Sequence, residues 1–233
     1  MASDFREEPT VDPGASRSQP FGQSVVVVAA LPVLLVAAGV GFLLCRMTTS
    51  TPGEDSAEAG FARDMATHHE QAVEMALLVT DRSTNPRMLG LARDIAFTQQ
   101  HQIGQMRGWL DQWGLPATGL NDPMTWMGHP TNGLMPGMAS ADELAALQEA
   151  TGTEAERMFL TLMIRHHEGA LPMTLAILDR SENEAVRRLA RSIQTSQQAE
   201  VELMRSLLDQ ISAETESTPP ATPAARSHQH PAT

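Results

Sequence analysis

Apolar and soft side chains recur through the middle of the chain at the spacing of helix faces. Positions 61, 65, 68, 72, 75 and 79 line one face of a helix predicted from about Ala57 to Asp81. Asn85 and Pro86 supply an N-cap and a first-turn proline for a second helix, which Gly114 and Pro116 stop after Trp113. Ser140 with Glu143 reads as a capping box for a short connecting helix. Thr153 with Glu156 reads as another for a third long helix, and Ser181 with Glu184 as another for a fourth that fades near Ser212. Two helical hairpins with short turns, joined by a crossover of about thirty-five residues, predict an all-α four-helix bundle.

The two hairpins are copies of one unit. Met65-Ala-Thr-His68-His69-Glu70 returns 98 residues later as Met163-Ile-Arg-His166-His167-Glu168. The same offset aligns Phe61 with Phe159, Ala72 with Ala170, Met75 with Met173, Ile95 with Ile193, Gln99 with Gln197 and Met106 with Met204, without a gap. A gapless internal repeat of this length predicts a pseudo-two-fold bundle. The copies differ at Asp64, whose counterpart is Leu162, and at Pro172 inside the third helix, so unequal half-sites are expected.

Ahead of the bundle, the uncharged run at 25–45 is long enough as a helix to cross about 30 Å of hydrocarbon. It divides the chain into a disordered tail (1–23), a transmembrane helix (24–46), a Ser/Thr/Pro/Gly-rich linker (47–57), the bundle (58–212) and a Pro/Thr-rich disordered tail (213–233). Arginines flank the run on both sides, so the charge rule leaves its orientation open. A formal charge of −12 with sixteen basic residues, none of them lysine, excludes the clustered basic face that nucleic-acid binding needs. The lone cysteine, Cys45, permits no intrachain disulfide.

Candidate chemistry concentrates in the doubled motif. Met65, His68 and Met75 share one helix face, as do Met163, His166 and Met173, while His69 and His167 are rotated by about 100° and are expected at the rim. Imidazole and thioether together suit copper, Cu(I) above all, whereas Mg²⁺ and Ca²⁺ need oxygen cages. Glu70 and Glu168 follow as outer acceptors or solvated groups. A second soft cluster, Met124, Met127, His129, Met135 and Met138, lies in the Gly/Pro-rich crossover, where metal capture and packing as a lid are both open readings.

The two Met-x-x-His-His blocks, the segments Gln99 to Trp109 and Gln197 to Leu207, and the run from Met135-Pro-Gly-Met138 through Glu143-Leu-Ala-Ala-Leu147 resemble the bacterial domain of unknown function 305 family over about residues 58–211. The resemblance implies a ferritin-like bundle, exported or membrane-anchored, with copper binding through Met and His in some members. Three functions stay open at this point. The first is a single-pass, extracytoplasmic copper-sequestering or copper-transferring protein. The second is a ferritin-like metal-dependent oxidoreductase, although the Glu-x-x-His signature of diiron bundles does not occur. The third is a partner-binding bundle without metal.

Overall fold

The computed structural model describes residues 36–38 and 51–217, with side chains to residue 214. The chain divides into two compact units, 1–50 and 51–233. The described residues of the first unit are Val36, Ala37 and Ala38, which are helical and exposed. Those three positions aside, the membrane span expected at 24–46 and the tail at 1–23 lie outside the described residues. Among the described residues no helix is long and apolar enough to cross a membrane.

The second unit is all-helical among its described residues. Its helices are α1 (Ala57–Thr80), α2 (Pro86–Trp113), α3 (Ala141–Glu149), α4 (Gly152–Arg180) and α5 (Glu184–Ser217), with a 3-10 turn at Thr125–Met127 in the crossover. Helix α1 packs against α2, α4 against α5, and the two hairpins join through α1 and α4. The linker is pinned before α1 begins: Glu54 pairs with Arg63 at 2.8 Å, and Asp55 accepts from Asn121 at 2.9 Å. At the other end α5 runs past Ser212 to Ser217, and the rest of the stretch expected as a tail lies outside the described residues.

Two of the expected capping boxes are replaced by a clasp between the hairpins. The box at Ser140 and Glu143 forms with both bonds in place. Thr153 and Glu156 do not cap α4, whose N-cap is Thr151 without a side-chain bond. Glu156 instead accepts from Ser83 at 2.5 Å, in the turn of the first hairpin. At the start of α5 it is Asn183 that accepts from the Ala185 and Val186 amides, while Ser181 reaches Glu58 at 2.6 Å. Ser83 and Ser181 are equivalent in the repeat, as are Glu58 and Glu156, so each turn grips the start of the opposite hairpin. Ser83→Ala leaves the buried Glu156 carboxylate short of a donor and should cost about 1–3 kcal/mol in chemical denaturation. Ser181→Ala should cost less, because Glu58 is only half-buried.

The core is cut in two by a polar layer. One apolar cluster gathers Ala72, Met75, Val79, Met88 and Ile95 of the first hairpin with Phe159, Met163, Val201 and Met204 of the second. The other gathers Phe61, Met65, Ile103 and Met106 with Ala170, Met173, Ile177, Val186 and Ile193. The offset of 98 carries members of one cluster onto members of the other, as the antiparallel pairing of two equal hairpins requires. Between them, at zero exposure, sit His68, His69, His166 and His167, with the buried Gln99, Gln102 and Gln197.

Candidate metal centre

Each histidine of a pair faces a different neighbour. His68 and His166 meet across the α1–α4 contact with ring centroids 3.8 Å apart. His69 turns to α2, where its Nε2 donates to Gln102 Oε1 at 2.7 Å, and His167 turns to α5, where its Nε2 donates to Glu200 Oε2 at 2.6 Å. Gln102 and Glu200 are themselves repeat equivalents. The rim position expected for His69 and His167 is thus corrected: both are fully buried, because the 100° rotation carries them from one packed helix to another and not to solvent.

The crossover closes one face of the layer. His68 Nε2 donates to the Pro136 carbonyl at 2.9 Å, and the Gln71 amide binds the Ala139 backbone in both directions, at 2.9 and 2.6 Å. Gly169, the repeat equivalent of Gln71, lies directly beneath: a Cβ there would collide with the Pro136 carbonyl. Further along, Asp64 accepts from the Met124 amide at 2.7 Å and from Trp126 Nε1 at 2.8 Å. Burial pushes the Asp64 carboxyl up while those two bonds pull it down. Gly60 leaves room for the Trp126 ring, which packs edge-on against Phe61. The Asp64/Leu162 asymmetry therefore has a cause: the crossover exists once, and the positions that hold it cannot repeat. Asp64→Leu should orphan both donors and cost about 2–4 kcal/mol in thermal unfolding, with a red shift of tryptophan emission.

Burial keeps three of the layer's imidazoles neutral. It drives His68 down to about 4, against the bond to Pro136, and drives His69 down to about 3, with His68 adding to the shift. His166 is lowered well below its ordinary value by burial and then by His68, His167 and His69. Because Pro136 O only accepts, His68 must donate from Nε2, and a neutral ring then carries its lone pair on Nδ1. The Nδ1 atoms of His68, His69 and His167, both ring nitrogens of His166, and the side-chain amides of Gln99 and Gln197 are buried without a hydrogen-bond partner.

Thioethers stand on both sides of these nitrogens. Met65 and Met173 lie in one apolar cluster, Met75 and Met163 in the other, all at zero exposure. Among the described residues no three His, Cys, Asp or Glu side chains are grouped to hold a metal by themselves. The crossover residues spread out: Met124 and Met135 are buried in the second cluster, Met127 and Met138 pack against it half-buried, and His129 is exposed. Glu70 and Glu168 point outward to Arg107 and Arg205. Sequence reasoning missed Gln71, Gln102 and Glu200; the signal was the shared spacing of 33 residues from His69 to Gln102 and from His167 to Glu200.

Fold and site together define a two-hairpin helical bundle with a histidine layer bracketed by methionine. The chain matches the family described as domain of unknown function (DUF305) over residues 58–224, and it belongs to that family. It is 45% identical to a DUF305 protein from Streptomyces coelicolor, provisionally classed as secreted, with a TM-score of 0.66 over 69% of this chain and 96% of that one. A DUF305 fragment from Deinococcus radiodurans is 38% identical, with a TM-score of 0.57 over 66% and 96%. CopM in its Cu(II)-bound form is 27% identical, with a TM-score of 0.51 over 66% and 96%. No curated protein matches.

Proposed function

We propose that this chain binds Cu(I) in the histidine layer and sequesters or transfers it outside the cytoplasm, held to the membrane by the span at 24–46. The observation that carries the reading is the set of buried imidazole nitrogens without partners, flanked by buried thioethers. Leaving such atoms unpaired costs about 1–3 kcal/mol each, and a soft cation would satisfy them. The copper-bound relative CopM supports the metal, and the Streptomyces relative supports the compartment. The uncharged run at 25–45 supports the anchor. The oxidoreductase alternative draws no support from Glu70 and Glu168, whose carboxylates pair with arginines at the surface.

Titration of the full chain in detergent with Cu(I), Cu(II), Zn²⁺ and Fe²⁺ against a competing chelator tests the metal. Cu(I) should compete best, and a chain that takes up no Cu(I) overturns the reading. A C-terminal reporter active only outside the cytoplasm tests the orientation.

A further inference from the structure

The polar layer meets the surface unequally at its two ends. On the first hairpin it ends at Gln102, a buried neutral amide. The groove outside Gln102 is lined by Phe97, His101, Arg188 and Ser192, so a fixed positive charge stands at its mouth. On the second hairpin the layer ends at Glu200, a carboxylate with 20% of its side chain exposed, bonded directly to the buried His167. At the positions equivalent to Ala185, Arg188 and Ser192, the chain carries Arg87, Gly90 and Asp94, and Arg87 is engaged by Gln210 at 2.8 Å. The third face is closed by the strap at 136–139, seated on Gly169 and bonded to His68 and Gln71.

Resting on the metal reading above, we infer that Glu200 is the port through which a soft cation reaches the layer. A partly exposed carboxylate attracts the hydrated cation and lowers the cost of shedding its water, and His167 stands directly behind it. Gln102, bonded to His69 in the same way, shows that an amide preserves the structural bond without the charge. The port is thus separable from the fold by one substitution in each repeat.

Rapid mixing of the full chain with Ag⁺ in nitrate buffer, quenching with excess thiosulfate at set times and measuring protein-bound silver tests the port. Glu200→Gln should slow loading about tenfold at low salt and weaken its ionic-strength dependence. Gln102→Glu in the Glu200→Gln background should restore fast loading. Equal loading rates in wild type and E200Q overturn the port alone. A wild-type chain that takes up no silver overturns both the port and the metal reading.

Discussion

Replacing His166 by Leu is expected to weaken Cu(I) binding more than about 100-fold while making the metal-free protein more stable. On the proposed reading His166 is a direct ligand, and its loss should exceed the roughly 10–100-fold cost typical of groups that merely orient one. The opposite sign on stability follows from the bonding: neither ring nitrogen of His166 has a hydrogen-bond partner, so the substitution removes buried polar atoms and breaks no bond. A leucine of similar volume should therefore gain about 1–2 kcal/mol in denaturant unfolding of the apo chain. His68→Leu is the control. It should weaken copper equally but gain no stability, because it strips the Pro136 carbonyl of its donor. Apo stability that falls in both variants would mean the histidines are there for the fold.

The repeat made the bundle legible, because a unit that recurs without gaps must be a structural unit. Helical spacing put Met65, His68 and Met75 on one face and Met163, His166 and Met173 on another, and the packing of α1 against α4 brings His68 and His166 together. What spacing could not supply was the second neighbour of α1. A wheel drawn for one interface puts His69 at the rim, and only the packing of α2 against the other side of the helix brings Gln102 to it. Two of the three capping boxes failed for a related reason. Ser181 and Glu156 fit local caps by spelling, but each is recruited by a residue of the opposite hairpin, which local patterns do not encode. The crossover methionines lacked any period to order them, so which would be buried was decided by where Asp64 and Gln71 anchor the loop.

Acid should unfold the metal-free protein well above the pH at which surface carboxylates alone would do so. The folded chain holds His68 at about 4 and His69 at about 3, with His166 lowered as well, whereas an unfolded histidine titrates near 6.5. Well above that value both states leave these rings neutral and stability is unaffected. As pH falls from about 6.5 toward about 4, the unfolded chain takes up protons that the folded chain refuses, so stability drops by up to about 1.4 kcal/mol per pH unit for each ring. Three rings acting together would erode a typical domain stability of about 5–15 kcal/mol within two or three units. Circular dichroism of the apo chain should show unfolding between roughly pH 6 and 4, and substitution of His69 by Gln should move the midpoint down. Bound Cu(I) should move it down further, since a metal on the Nδ1 lone pairs stabilises only the folded, deprotonated layer. An apo midpoint that ignores the His69 substitution would show that this ring is not held neutral by burial.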